Sequence, residues 1–270
     1  MKNITKLCLS ISALCLSSWG FSDVVLYHKY DGNLTDSSAF GNNGTGINSP
    51  GFVTGEYNQA IDLERSSTQY VTVADNNSLD FGAGSAFTIE GWVKLESLGG
   101  DSGATRQMLA LKKSGSNADT RLNYGFMVQR GSNSSASSGT YNQLGLLLGD
   151  GSGWTGYYST LSITDNDWHY VSVRFDDTTN TAIFNLDASE DTLTGVNQSI
   201  AANGLDLTIG AHMTNTGAID HSFDGLIDEL RISNTFLADG DLLVNAIPEP
   251  STLILGLSAF LGVFLFGRRR

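Results

Sequence analysis

The sequence predicts an all-β protein in which two antiparallel sheets pack face to face as a sandwich. Short segments of alternating apolar and polar residues recur along the chain, separated by clusters of Gly, Asn, Asp and Ser. Helical periodicity is almost absent between the two ends, and 3 prolines stand against 31 glycines. About 225 residues lie between the ends, a length that fits one all-β domain.

The N-terminus has the pattern of a secretory signal peptide. Lys2 and Lys6 precede an apolar run over residues 7–16, and small residues follow up to Ser22. We therefore expect a signal peptide over residues 1–22. Both cysteines of the chain lie within it, so disulfides would contribute nothing to the exported protein.

The C-terminus reads Pro248-Glu249-Pro250, then residues 251–267 without a charge, then three arginines. An apolar run of about 17 residues is the short limit for a membrane-spanning helix, and the arginines would stay on the cytoplasmic side. An ordinary C-terminal anchor is one interpretation. The three parts in this order also resemble the PEP-CTERM sorting signal, here over residues 248–270.

That resemblance implies processing by an exosortase-type membrane protease in a Gram-negative bacterium that makes exopolysaccharide. The expected course is export across the inner membrane, transient anchoring through the tail, and release to the cell surface or extracellular matrix. The membrane would be contacted only through the tail.

The exported part of the chain is strongly acidic. Of the 15 basic residues, two lie in the signal peptide and three end the chain, which leaves 10 basic against 28 acidic residues. This balance disfavours nucleic acid and anionic membrane surfaces as partners, and it suits an extracellular protein with room for divalent cations.

Taken in order, the apolar segments predict a series of strands without an internal repeat or domain boundary. They form one domain over residues 23–237, and a linker over 238–247 carries one short helical turn. The expected strands are Val24–Tyr30, Ala60–Leu63, Tyr70–Val73, Phe87–Leu95, Met108–Lys112, Tyr124–Arg130, Leu144–Leu148, Trp168–Asp176, Thr181–Leu186, Leu205–Ile209 and Ser222–Ser233. Residues 32–48, 131–143 and 149–158 are expected to be loops, and residues 75–81 a turn with Leu79 and Phe81 as an apolar plug.

Two features of the strands bear on function. Phe87–Leu95 and Trp168–Asp176 each have one apolar face and a second face that carries tryptophan, and only one face of each strand can join the core. In the last strand, Asp228 shares a face with Leu226, Leu230 and Ile232. A carboxylate among leucines is costly to desolvate, so Asp228 needs backbone donors, a cation or a metal.

Several segments in order resemble the LamG-like jelly-roll domains of the concanavalin A-like lectin/glucanase superfamily. The resemblance spans roughly residues 24–237 and implies a jelly-roll sandwich with one convex and one concave sheet, whose first and last strands are neighbours. The segments are YDGNLTDSS with GNNGT, YVTVADNNSLDF, FTIEGWVKL, DNDWHYVSVRFD, LTIGA and FDGLIDELRIS.

The resemblance also implies two kinds of site. Many relatives hold a structural calcium ion near the first and last strands, where Asp31 and Asp228 fit. The alternative is that Asp31 caps a turn and Asp228 accepts backbone N–H groups. Ligands of many relatives bind the concave outer face, where Trp92, Trp168 and Tyr170 would lie unless a loop or a small third sheet covers them.

Aromatic residues in glycine-rich loops are further candidates for sugar binding, because the C–H faces of sugar rings stack on aromatic rings. These are Tyr141, Trp154, Tyr157 and Tyr158. The alternative is that the rings plug their loops onto the sandwich. His169 is expected in the core, and the spacing of His28, His212 and His221 is too scattered to propose a metal cluster.

No catalytic motif is evident. Glucanases of the superfamily use carboxylates paired on one strand face, and no such run occurs here; Asp228 and Glu229 are adjacent and so point to opposite faces. We expect a non-catalytic exported protein that binds polysaccharide or a cell-surface glycan. A structural matrix protein without a specific glycan ligand, and a glycoside hydrolase or lyase, are the alternatives.

Overall fold

The computed structural model describes residues 23–98, 106–113, 122–129, 141–213 and 218–246. The predicted signal peptide, the tail over residues 248–270 and its apolar run over residues 251–267 lie outside these residues. Among the described residues, no helix is long and apolar enough to cross a membrane.

The described chain forms two large antiparallel sheets, as the alternating pattern predicts. The first half of the chain contributes β1 (Val24–His28), β2 (Gly44–Ile47), β3 (Gly51–Thr54), β4 (Gln59–Leu63), β5 (Tyr70–Val73), β6 (Ala86–Leu95), β7 (Arg106–Lys113) and β8 (Leu122–Gln129). The second half contributes β9 (Gln143–Gly149), β10 (Trp154–Ser162), β11 (Trp168–Asp176), β12 (Thr181–Leu186), β13 (Ser189–Thr194), β14 (Leu207–Ile209), β15 (His212–Met213), β16 (Ile219–Asp220), β17 (Gly225–Ser233) and the helix α1 (Leu243–Ala246).

The eight-stranded sheet has the order β13-β12-β11-β6-β17-β4-β3, with β1 paired to β17. The seven-stranded sheet has the order β10-β9-β8-β7-β14-β5-β2, and β15 and β16 form a separate hairpin. Val24 pairs with Ser233 and His28 with Leu230, so the first and last strands are neighbours as expected. The core between the sheets contains Phe87, Ile89, Val93 and Leu95 of β6, all on the face predicted to be apolar.

Two segments expected to be loops contain strands. The 32–48 segment ends in β2, and the glycine-rich 149–158 segment leads into β10. The one glycine of β10, Gly156, is closely packed, since a Cβ atom there would lie 2.7 Å from the Tyr158 hydroxyl and would force that ring to shift. The strand β10 was therefore not predicted, because the glycines of this segment indicated a loop.

The last strand departs from simple alternation. The register of β17 against β6 shifts between Asp228 and Arg231, and Glu229 adopts φ +51°. Such a bulge inserts an extra residue and exchanges the faces of the strand. Ile227 lies in the core before the bulge, and Leu230 and Ile232 lie in the core after it. The expectation that Asp228 shares the face of Leu230 and Ile232 is therefore wrong, because the strand does not alternate through the bulge.

Candidate functional site

The outer face of the eight-stranded sheet is covered by the segment at residues 237–246, and we call it the covered face. Trp92 and Tyr170 are 6% and 2% exposed and pack with Leu242 and Leu243; Trp168 is half-buried beside them. The rings of Trp92 and Tyr170 meet edge to face with centroids 5.1 Å apart. The expectation that Trp92 lines an open ligand face is thus corrected, because a C-terminal segment lies over it.

A buried ion pair lies beneath this segment. Arg231 donates to Glu90 Oε1 from Nε at 2.8 Å, and side chains of both residues are at most 3% exposed. Glu90 Oε2 accepts from the Tyr170 hydroxyl at 2.6 Å and from the Leu243 backbone N–H at 2.8 Å. Arg231 also donates to the Asp241 carbonyl at 2.6 Å. The charged groups of this face therefore hold the C-terminal segment in place.

The predicted calcium ligands lie on either side of one turn. Tyr57 N–H donates to Asp228 Oδ2 at 2.8 Å, and Gln59 N–H donates to Asp31 Oδ1 at 3.3 Å. Asp228 is fully buried, and its Oδ1 has no hydrogen-bond partner among the described residues. The hydroxyl of Tyr30, also buried, lacks a partner there too.

Burial raises the pKa of Asp228 to about 8, against the lowering effect of the Tyr57 N–H, and the charges of Glu229 and Asp31 raise it further. A carboxylate in this state is either protonated or neutralised by a cation. The orphaned Oδ1 and the nearby Asp31 carboxylate fit a hard cation such as Ca²⁺, which takes oxygen ligands.

On the seven-stranded sheet, an outer cluster consists of Met108, Leu111, Leu122, Met127 and Leu147, with Trp154 and Tyr158 packed against it. Trp154 lies at its rim, half-buried. The Arg106 guanidinium carbon is 5.2 Å and the Lys113 ammonium 5.8 Å from the centre of the Trp154 ring.

Two cavities on this side of the molecule share Leu122 as a lining residue. The smaller, about 40 Å³, is lined by Trp154, Arg106 and Lys113 among others, and the larger, about 260 Å³, is lined by Gly151 and residues 201–205. We call the surface formed by both cavities the Trp154 groove.

The other aromatic residues predicted to bind sugar differ in exposure. Tyr141 is 44% exposed. Tyr157 packs against the main core, and its hydroxyl accepts the Gln198 N–H at 2.9 Å. Tyr158 packs under the Trp154 groove. Of the four aromatics predicted in loops, the structure thus turns Tyr157 inward as a plug and leaves Trp154 at the groove.

The structure brings together two histidines that the sequence analysis treated as scattered. His212 Nδ1 lies 2.5 Å from Asp220 Oδ1, and His221 Nε2 lies 3.9 Å from Asp220 Oδ2. Burial lowers the pKa of His221 to about 4, although Asp220 acts in the opposite direction. The two histidines are nine residues apart, and the hairpin of β15 and β16 that joins them was not predicted.

His169, expected in the core, is instead half-buried at the end of β11 between two carboxylates. Its Nδ1 lies 2.8 Å from Asp187 Oδ2, and its Nε2 lies 2.9 Å from Asp165 Oδ1. Burial opposes protonation, but the hydrogen bonds to Asp187 and Asp165 prevail and raise the pKa of His169.

A cluster of three carboxylates was also missed. Single oxygens of Asp62, Glu64 and Glu96 all lie within 4.8 Å of one another. Burial and the charges of neighbouring carboxylates raise the pKa of Asp62 and of Glu96. Asp62 and Glu64 are two residues apart, a spacing that could have drawn attention to them; Glu96 lies on a different segment, which only the fold brings near.

Comparison with known families and structures agrees with this architecture. Residues 65–242 match the Laminin_G_3 family of the concanavalin A-like lectin/glucanases superfamily. No curated protein matches the sequence.

Solved structures share the fold at low identity. Domain 4 of AbnA, an extracellular arabinanase from Geobacillus stearothermophilus, in complex with arabinotriose, is 18% identical with a TM-score of 0.57; 83% of this chain and 97% of that one are covered. The binding domain of Paraclostridial Mosquitocidal Protein 1 is 15% identical with a TM-score of 0.59, over 84% and 52%. The binding domain of botulinum neurotoxin DC in complex with SialylT is 13% identical with a TM-score of 0.57, over 84% and 50%. The chain spans about half the length of the two toxin domains.

Proposed function

The chain belongs to the Laminin_G_3 family of the concanavalin A-like lectin/glucanases superfamily, and on that premise we propose that it is a non-catalytic carbohydrate-binding module. The ligand we propose is an exopolysaccharide or cell-surface glycan, met after export at the cell surface or in the extracellular matrix. The arabinanase domain, whose structure contains arabinotriose, supports a carbohydrate ligand by analogy of fold.

The observation that carries the proposal is the Trp154 groove. It combines a half-buried indole, an apolar floor and two cationic side chains. A sugar ring would stack on exposed parts of Trp154, and Arg106 and Lys113, which line the same cavity, would donate to its hydroxyls. Trp92 is too deeply buried for this role, and Trp168 is half-buried at the covered face.

A glycan array probed with the full chain tests the proposal. Trp154→Ala should weaken binding at least about tenfold, because aromatic anchors carry much of the binding energy. Trp168→Ala is the matched control, since it removes a half-buried tryptophan from the opposite sheet and should leave binding unchanged. Absence of any bound glycan would favour the structural matrix protein, and loss with Trp168→Ala alone would place binding on the covered face.

The carboxylates of Asp62, Glu64 and Glu96 favour a glycoside hydrolase or lyase as the second candidate function. Glycosidases use one carboxyl group of raised pKa as an acid and a second as base or nucleophile. Release of reducing sugar from a bound polysaccharide, abolished by Glu96→Gln, would support catalysis. A bound polysaccharide that stays intact would support the binding module.

We also propose a structural calcium ion held by Asp228 and Asp31. It would tie β17 to the segment after β1 and neutralise the buried carboxylate. Thermal melting of the full chain with calcium and with EDTA is the test, and Asp228→Asn should abolish the calcium-dependent rise in melting temperature. An equal rise in that variant would exclude Asp228 as a ligand.

The proposed sorting signal over residues 248–270 can be tested separately. In the native host, replacing Pro248-Glu249-Pro250 with alanines should leave the protein unprocessed if an exosortase-type protease recognises this signal. Normal processing of the variant would favour a plain anchor.

A further inference from the structure

The hairpin of β15 and β16 and the residue after it hold a compact group of one carboxylate and two imidazoles, and both imidazoles line the smaller cavity of the Trp154 groove. One ligand atom each of His212, Asp220 and His221 lies within 4.8 Å of the other two. His212 and Asp220 are directly opposite each other in the hairpin. The two imidazole rings are stacked at 14° with centroids 5.9 Å apart.

His212 has an unused buried nitrogen. The residue is 7% exposed, its Nδ1 donates to the Asp220 carboxylate, and its Nε2 has no hydrogen-bond partner among the described residues. A carboxylate that accepts from Nδ1–H fixes the tautomer in which Nε2 carries the lone pair. Because Nδ1 is the nitrogen that faces Asp220, an ion held by both residues would replace the Nδ1 proton, and the free Nε2 would take up that proton.

The backbone of His221 is held in an uncommon conformation. Its φ is +50°, in the left-handed region, and its carbonyl accepts the Met108 N–H of β7 at 3.2 Å. The left-handed region costs energy for residues other than glycine, so this conformation is maintained by its surroundings. In this conformation the His221 imidazole lies next to the His212 imidazole and the Asp220 carboxylate.

We propose that His212, Asp220 and His221 form a binding site for a divalent transition metal ion, with Zn²⁺ as the best match. Two imidazoles and one carboxylate are a ligand set that zinc accepts, with the fourth position left for water or an external ligand. Arg106 and Lys113 line the same small cavity as His212 and His221, and they weaken the affinity for a cation without supplying ligands. The site differs in ligand chemistry from the calcium site proposed at Asp31 and Asp228.

Zinc chloride titrated calorimetrically into the full chain, with calcium present throughout, tests the proposal. We expect one Zn²⁺ per chain, and His212→Gln and His221→Gln should each weaken binding by at least about tenfold. Asp228→Asn should bind zinc as the original chain does. Lys113→Gln should tighten binding severalfold, because a nearby positive charge is removed.

His169→Gln is the matched control, since His169 also lies between two carboxylates, Asp165 and Asp187, but belongs to no group of three close ligand atoms among the described residues. The zinc affinity of the His169→Gln variant should equal that of the original chain. Lack of zinc binding by the original chain would overturn the proposal, as would equal binding by the His212 and His221 variants. Circular dichroism of each variant shows whether the fold is kept, and Lys113→Gln provides a result that does not depend on removing a ligand.

Discussion

The outer faces of the two sheets both combine tryptophan with charged side chains, but their surroundings differ. On the covered face, Trp92 is 6% exposed beneath Leu242 and Leu243, and both carboxylate oxygens of Glu90 accept hydrogen bonds. On the other sheet, Trp154 is half-buried at a groove, with Arg106 and Lys113 near its ring. The same residue types therefore stabilise the fold on one face and leave a surface for ligands on the other.

The largest expected difference is between the stability losses caused by replacing the two tryptophans. Trp92→Ala should lower the free energy of unfolding by about 4 kcal/mol, because it opens a cavity under the C-terminal segment. Trp154→Ala should lower it by only about 1 kcal/mol, because the ring is partly solvated in the folded state. Urea unfolding of both variants measures the difference, and equal losses would show that the two faces are not distinct in their contribution to stability.

Breaking the buried ion pair is the next test of the covered face. Arg231→Met leaves Glu90 without its cation and should lower the free energy of unfolding by about 3 kcal/mol. This is the lower end of the range for unpaired buried charges. The loss is limited because the Tyr170 hydroxyl and the Leu243 N–H still donate to Glu90. The double variant Glu90→Gln with Arg231→Met, as control, should recover part of the stability. No recovery would mean that the charge of Glu90 is not what makes the single variant unstable.

The covering segment itself can be loosened with a smaller effect. Leu243 is 2% exposed and packs in the cluster with Trp92. Leu243→Ala should lower the free energy of unfolding by about 2 kcal/mol. This is the low end for such a change, because the segment at residues 237–246 can relax into the space. It should also increase quenching of tryptophan fluorescence by iodide. Val244→Ala, a less buried position of the same helix, should change both readouts less; the reverse order would contradict the packing.

How far the sequence predicts this molecule depends on whether a feature is local. The alternation in Phe87–Leu95 is local, and it correctly placed Phe87, Ile89, Val93 and Leu95 in the core and Trp92 outside it. The bulge at Glu229 breaks alternation without any composition signal, so the prediction that Asp228 shares a face with Leu230 was wrong. Whether the outer face of the eight-stranded sheet is covered depends on where residues 237–246 pack. The periodicity of the strands carries no information about that position.

The candidate sites show the same division. Trp154 stood out because an aromatic residue in a glycine-rich stretch is unusual, even though that stretch becomes a strand. His212 and His221 did not, because nine residues of separation suggest no cluster until a hairpin folds them together. The carboxylates of Asp62 and Glu96 likewise come from separate segments. Sites built across segments need the fold before they can be found.

The smallest expected effect lies at the start of β11, where His169 meets Asp165 and Asp187. Because the pKa of His169 is raised in the folded state, its charged pairs stabilise the protein fully below the unfolded pKa of about 6.5. This contribution is lost as the pH rises through the folded pKa. His169→Gln should therefore cost about 0.2–1 kcal/mol at pH 5 and less at pH 8, a small value because both carboxylates are half-exposed. Asp165→Asn, which removes one of the two partners, should show a smaller change of the same sign. Thermal unfolding at the two pH values measures both, and a cost for His169→Gln that grows with pH would mean that the histidine is held in its neutral form.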